Sequence, residues 1–250
     1  MTLSQAHRLD GLSYLTQTLT FLLFSVQYNP KSGDNLTSSE LYNKRSNGLN
    51  HQDIEIIDNT QVHSGYFRVD RYSLKHKLFN GNTSALLSRE VLERGHAAAV
   101  LPYDPDLDRI VLIEQFRIGA MTAHRAPWQL ECIAGIIEQD ESVESVIHRE
   151  AMEEAGCTIS DIEPIADYLS SPGATSETVA LYCGRTESKN LGGLYGLAEE
   201  GEDIRVHTFS FSAIVKMLER AEITNAMTLI ALQWLVLHRD RVASKWLAEE

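Results

Sequence analysis

Residues 135–157 read Gly135-Ile136-Ile137-Glu138-Gln139-Asp140-Glu141-Ser142-Val143-Glu144-Ser145-Val146-Ile147-His148-Arg149-Glu150-Ala151-Met152-Glu153-Glu154-Ala155-Gly156-Cys157. The spacing predicts a helix over 142–155. At 100° per residue Val143, Val146, Ile147 and Ala151 form one apolar stripe, and Gly156 is placed to stop the helix in the left-handed conformation. Glu150 and Glu154 fall on that same stripe. Burying a lone carboxylate is costly unless it is paired, and the nearest base, Arg149, leaves the helix about 100° away from Glu150. Two carboxylates at i, i+4 stand roughly 6 Å apart at their Cβ atoms and repel each other. A divalent cation resolves both problems, because Mg2+ or Mn2+ takes oxygen ligands and keeps waters for a substrate phosphate. The alternative is a frayed helix end with both glutamates in water. The surroundings favour the cation: the stretch holds seven acids (Glu138, Asp140, Glu141, Glu144, Glu150, Glu153, Glu154) against a single arginine, where a solvated face ordinarily intersperses lysines.

The chain around this stretch has 250 residues, enough to bury about 70–75% of its unfolded surface without disulfides or a structural metal. Hydrophobic residues make up 43% and charged residues 23%, a globular composition. With 22 Lys and Arg against 35 Asp and Glu the formal net charge is −13, which argues against binding to a nucleic-acid backbone. A phosphate substrate therefore needs a metal or a few placed arginines. Three scattered cysteines, Cys132, Cys157 and Cys183, sit in apolar runs and read as reduced core residues of a cytoplasmic protein.

Residues 1–50 differ from the rest, carrying four bases and three acids, and the run from Gly11 to Pro30 has no charge. Its apolar part, about 15 residues, is too short to span a bilayer core, so no membrane association is expected. A secretory signal with Arg8 as basic flank is opposed by the Thr and Gln dilution and by the lack of a small-x-small site after Val26. A packing helix, a weakly ordered tail or an early start codon fits better, and 31–50 is a linker by composition.

Beyond the linker, residues 62–74 alternate like a strand and Asn80-Gly81 signals a hairpin turn. Residues 97–103 and 109–116 are apolar strands joined by Asp104-Pro105-Asp106-Leu107-Asp108. That joint lacks the Gly and Glu of a calcium-binding EF-hand loop, since Arg109 and Gln115 stand in their places, and it reads as a polar turn. Strands are expected at 179–183 and 204–211, and amphipathic helices at 212–220 and 226–239. Strands mixed with few helices, without regular β-α alternation, indicate an α+β or layered α/β/α domain.

The stretch 135–157 resembles the Nudix box: Gly, five residues, Glu, seven residues, then Arg-Glu-apolar-any-Glu-Glu-any-Gly-apolar. Every fixed position is met. The resemblance implies a Nudix fold, a mixed β-sheet sandwiched between helices, and Mg2+- or Mn2+-assisted hydrolysis of a nucleoside diphosphate linked to another group. Carried over by position, Glu150 and Glu154 are metal ligands with Glu153 contributing, Arg149 orients them through Glu141, and the carbonyl of Ala134 is a further ligand. The implied organisation is an extension over 1–50, a strand subdomain over 51–95 and the hydrolase domain over 96–245.

Features outside the box resemble the ADP-ribose pyrophosphatase branch. Pro172 stands sixteen residues after Gly156, within Ser171-Pro172-Gly173-Ala174-Thr175-Ser176-Glu177, and Gly196 to Arg205 resembles that branch's acidic loop. By position, Glu200 is the base on the attacking water and Glu202 a metal ligand. The same resemblance assigns Arg89 and Arg117 to phosphate, Tyr66 and Phe67 to adenine, and Trp128, Glu131, Pro172 and Glu177 to the substrate pocket. The implied reaction converts ADP-ribose to AMP and ribose 5-phosphate, in a homodimer that exchanges N-terminal strands. A GDP-mannose hydrolase of the same family, or a non-catalytic ADP-ribose-sensing module, are the alternatives.

Overall fold

The computed structural model describes residues 48–197, 199 and 201–248. The readings made for residues 1–47 and for Glu200 lie outside the described residues. Residues 48–54 with His76–Thr83 make one small unit, and Glu55–Lys75 with the chain from Ser84 onward make the other.

In the small unit Asn50 caps a single 3-10 turn (His51–Asp53) with a reciprocal pair of side-chain hydrogen bonds. The Leu78 N–H donates to the Asn82 carbonyl and Lys77 bridges Thr83, so Asn80-Gly81 is a hairpin tip, as its sequence signals.

The larger unit holds two sheets. The first has the order β1 (Ile54–Ser64), β2 (Arg68–His76), β3 (Leu87–Glu93), with β2 and β3 antiparallel. The expected strand over 62–74 is in fact two strands, because the chain turns at Gly65, whose N–H donates to the Phe67 carbonyl. Every residue of β1 is exposed.

The second sheet is mixed. Its path is β10 (Gly193–Tyr195), β11 (Ile204–Ser210), β5 (Arg109–Phe116), β4 (Ala97–Asp104), β9 (Thr178–Arg185), β8 (Ile162–Leu169). The short strands β6 (Trp128–Glu131) and β7 (Ile133–Ile136) add to β5 and β4. Only β4 and β9 run parallel. β4 is buried from Ala98 to Asp104, and its alternate residues feed two cores. Ala98 and Val100 join the core under α2 (Val143–Ala155), and Ala99, Leu101 and Tyr103 join the core under α3 (Phe211–Glu219) and α4 (Ala226–Ala248). A strand covered on both faces reads as a continuous apolar run, as 97–103 does. A short helix α1 (Ile118–Thr122) connects β5 to β6. The α+β layered fold expected from the sequence is therefore present.

Two helices show how far local signals reach. α2 starts at Ser142, whose hydroxyl accepts from the Ser145 N–H, and stops at Gly156 with φ 57°, ψ 30°. α4 runs past the expected end at Arg239 because Val242 and Trp246, both fully buried, continue its apolar stripe. Arg239 donates to Asp108 in the β4–β5 turn, and Arg185 to the Trp246 carbonyl, which fastens the second half of α4 to the sheet. No described helix is long and apolar enough to cross a membrane.

Gly156 carries a double demand: its φ is left-handed, and an added Cβ would lie 2.7 Å from the ring of Tyr195. Gly156→Ala should lower unfolding stability by about 1–3 kcal/mol, measured by urea denaturation, from left-handed strain plus displacement of the ring.

Candidate active site

α2 packs on β7, β4, β11 and β10, so its buried face lies over strand ends that carry Ala134, Gly135 and the segment leading to Glu202. The stripe Val146, Ile147, Ala151 and Ala155 is buried, and Glu154 is buried among them at 3% exposure. The frayed-end alternative is thereby removed for Glu154. Its Oε2 accepts one hydrogen bond, from the Ala134 N–H at 3.1 Å. The role expected of Ala134 was through its carbonyl; its N–H is what meets the site side chain here. Burial pushes the Glu154 carboxyl up to about 8, against the Ala134 hydrogen bond, and the charges of Glu150 and Glu202 push the same way.

Glu150 sits over the Cα of Gly135: a Cβ there would lie 1.7 Å from its Oε1, so only glycine lets the carboxylate lie against β7. Burial raises the Glu150 carboxyl above the ordinary range, against the opposing pull of Arg149.

Arg149 does reach Glu150, contrary to the expectation from its Cβ direction. Its Nη1 donates to Glu150 at 2.7 Å and to Glu153 at 3.1 Å, while Nε and Nη2 grip both oxygens of Glu141 at 2.9 and 3.1 Å. Direction at Cβ does not fix the head of a side chain with three methylenes, which bends back toward the charges. The hydrogen bond from Arg149 holds the Glu141 carboxyl low, and Glu141, Glu150 and Glu153 lock Arg149 in its charged form.

Just past the end of β5, Arg117 donates through Nε to Glu131 Oε2 at 2.9 Å, and its Nη2 is ion-paired with the same oxygen at 2.8 Å. Burial works against the guanidinium charge, but Glu131 outweighs it, with Glu154 and Glu202 adding to the same effect. Arg117 thus stands in the field of the α2 carboxylates while its side chain remains 48% exposed. Glu131 is 2% exposed and also accepts from Gln115 and from Asn225. It is committed to protein donors, not open to a sugar.

Glu202 is partly buried and accepts from the Leu197 N–H at 3.2 Å. Among the described residues no three acidic, histidine or cysteine side chains close around a common point as a finished metal cage. Such an open arrangement suits a cation that relies on substrate phosphates and waters for part of its shell. The residues fit that cation on one observation: Glu154 is a buried carboxylate whose only hydrogen-bond donor among the described residues is an amide, in the field of Glu150 and Glu202.

The remaining expected residues are scattered. Tyr66 (90% exposed) and Phe67 make an edge-on pair after β1. Arg89 is exposed on β3 and donates to its neighbour's carbonyl. Trp128 packs edge-on against Phe116, on the opposite face of β6 from Glu131 by strand alternation. Pro172 is exposed, and its loop is fastened to the end of β3: Leu92 exchanges hydrogen bonds with Ala174 and Thr175, Ser176 donates to Glu93, and Glu177 pairs with Arg94 at 3.3 Å. Hydrogen bonds and charge interactions therefore link Glu141, Arg149, Glu150, Glu153, Glu154, Glu202, Arg117 and Glu131, while Tyr66, Phe67, Arg89 and Trp128 stay at the surface. Gln115, Asn225 and Thr228 belong to the same network and were not expected; the only signal was an Asn preceding a helical pattern. A cavity of about 510 Å³ lined by Arg125, Gln129, Ile223 and Thr224 holds no acidic side chain and is not the carboxylate site.

The family model of the NUDIX domain matches residues 93–228. The chain is 46% identical over 194 residues to the ADP-ribose pyrophosphatase of Escherichia coli (strain K12), covering 78% of this chain and 93% of the relative. It is 38% identical over 213 residues to the ADP-ribose pyrophosphatase of Haemophilus influenzae, covering 83% and 98%. Identity to the GDP-mannose pyrophosphatase of Enterobacter sp. (strain 638) is 32% over 188 residues, covering 73% and 94%. A crystal structure of an ADP compounds hydrolase superposes with a TM-score of 0.57 at 21% identity, covering 78% of this chain and 96% of that one, a likeness of fold.

The raised Glu154 carboxyl has a consequence for stability. Between the unfolded value of 4.5 and about 8 the folded state holds a proton that the unfolded state has lost, so stability falls as pH rises through that window. Metal-free protein should lose a few kcal/mol between pH 5 and pH 8, each unit of raised pKa being worth about 1.4 kcal/mol. Glu154→Gln should flatten that slope and be more stable than the parent at pH 8, as read by urea midpoints across pH. A parent slope that persists in Glu154→Gln contradicts the assignment.

Proposed function

The chain belongs to the Nudix family, and from that premise we propose that it hydrolyses the pyrophosphate bond of ADP-ribose to AMP and ribose 5-phosphate. The two ADP-ribose pyrophosphatase relatives match at 46% and 38% identity over nearly their whole length, and the GDP-mannose relative at 32%, which favours the adenine nucleotide. The observation that carries the reading is the buried Glu154 carboxylate with Glu150 and Glu202 beside it, a concentration of negative charge that a divalent cation would relieve.

Glu150, Glu154 and Glu202, with Glu153 and the Ala134 carbonyl in support, would hold Mg2+, for which Mn2+ can substitute. When bound, the cation neutralises charge that develops on the phosphates and lowers the pKa of water. Arg149, tied to Glu141, fixes Glu150 and Glu153 so that they do not have to be ordered during the reaction. Arg117 offers Nη1, unbonded among the described residues, to a phosphate, and Arg89 is a second phosphate contact. Glu200 takes the proton from the attacking water, a role assigned by the resemblance of its loop. Water attacks one phosphorus, the bond to the bridging oxygen breaks, and the other phosphate leaves.

The working form in this reading is a cytoplasmic homodimer. β1 is an edge strand, exposed along its length, and it displays Ile56, Ile57 and Val62. A second copy that covers this strand would hide the apolar side chains and could bring Tyr66, Phe67 and Arg89 to a substrate.

The test is release of AMP from ADP-ribose, run beside GDP-mannose and ADP-glucose with and without Mg2+. Mg2+-dependent cleavage that prefers ADP-ribose, abolished in Glu150→Gln, is expected. Turnover of GDP-mannose alone would retain the carboxylate site and discard the adenine reading. Binding of ADP-ribose without turnover would make the chain a sensing module.

A further inference from the structure

The first turn of α4 and the two residues before it clasp β6 and the adjoining Cys132 at three points. Thr224 donates to Gln129 at 2.7 Å, Asn225 Nδ2 donates to Glu131 Oε1 at 3.0 Å, and the Cys132 N–H donates to Thr228 Oγ1 at 2.9 Å. Asn225 cannot be turned round in this arrangement. Its Oδ1 accepts from both the N–H and the hydroxyl of Thr228, at 3.0 and 3.1 Å, so its nitrogen must face Glu131. The same amide thus caps α4 with its oxygen and holds a buried carboxylate with its nitrogen.

Glu131 needs that donor. At 2% exposure it has no water to replace a lost partner, and its other oxygen is taken by Arg117 and Gln115. With Oε1 held by Asn225, the carboxylate plane is fixed, and Oε2 presents one orientation to Nε and Nη2 of Arg117. The guanidinium is then pinned along one edge, with its Nη1 unbonded among the described residues.

We propose that Asn225 is a positioning residue for Arg117, acting through Glu131. The inference rests on the reading of Arg117 as a phosphate contact. The α4 N-terminus, more than a hundred residues along the chain, thereby sets the aim of a binding group just past the end of β5. Asn225 touches no substrate; it keeps Arg117 from searching its rotamers when the phosphate arrives.

The test separates the cap from the relay. Asn225→Ser keeps an oxygen for the Thr228 N–H but is too short to reach Glu131, and Asn225→Asp keeps the cap while turning an oxygen on Glu131. KM and kcat for ADP-ribose are measured in the full chain with Mg2+, with melting temperature as the control. Asn225→Ser should raise KM about five- to tenfold with kcat within about twofold, the loss of one orienting hydrogen bond, and Asn225→Asp should raise it further. Arg117→Ala should raise KM more than either, and adding Asn225→Ser to it should have no further effect on KM. An unchanged KM in Asn225→Ser beside a raised KM in Arg117→Ala overturns the relay alone. Full additivity in the double variant overturns it as well. An unchanged KM in Arg117→Ala overturns the phosphate reading, and the relay with it.

Discussion

A carboxylate held beneath helix α2, with a single backbone N–H as its hydrogen-bond donor among the described residues, sets the terms for what surrounds it. Glu154 occupies a place on the apolar stripe where Val or Leu would be stable without help. Keeping a glutamate there costs stability at neutral pH, and the neighbouring charges of Glu150 and Glu202 increase that cost. Gly135 has no side chain so that Glu150 can lie against the strand, and Arg149 spends all three of its nitrogens on the adjoining carboxylates. These features make sense together as a site prepared for positive charge.

Two arginines divide the work of handling an acidic centre in a chain of net charge −13. Arg149 lies on the helix side and makes four hydrogen bonds to acids of the box, against the five N–H donors a guanidinium carries, so little of it is left for a ligand. Arg117 lies on the strand side, is gripped by one carboxylate oxygen, and keeps an open edge. The difference follows from the partners: Glu141, Glu150 and Glu153 all bind one guanidinium, whereas Glu131 alone binds the other among the described residues. In the proposed reaction, fixed cations beside a carboxylate cluster would give phosphate oxygens a local attraction that the overall charge denies them.

The box helix was legible because its signals are local. Ser142, the 3.6-residue stripe and Gly156 lie within fifteen positions, and caps and stripe act over one to four residues. Glu150 and Glu154 were marked by the same arithmetic. The contact of Arg149 with Glu150 was not, since a helical wheel gives the direction of Cβ and not the reach of a guanidinium. Glu131 looked like a ligand group because its partners Gln115 and Asn225 lie 16 and 94 residues away, a pairing that only the folded chain makes. β6 and β7 escaped notice at four residues each, too short for a period of two to register, and β8 is interrupted by a bulge at Pro164. The stretch 62–74 read as one strand because Gly65 turns the chain inside an otherwise alternating pattern.

The central claim is that Glu154 is kept buried, and partly protonated at neutral pH, for a divalent cation. The most direct measurement is calorimetric titration of Mn2+ into the metal-free protein at pH 7, repeated in buffers of different ionisation enthalpy to count protons released. The account predicts release that approaches one proton per protein, with release and affinity both falling sharply in Glu154→Gln. Equal affinity in parent and variant, with no protons released by either, would contradict it.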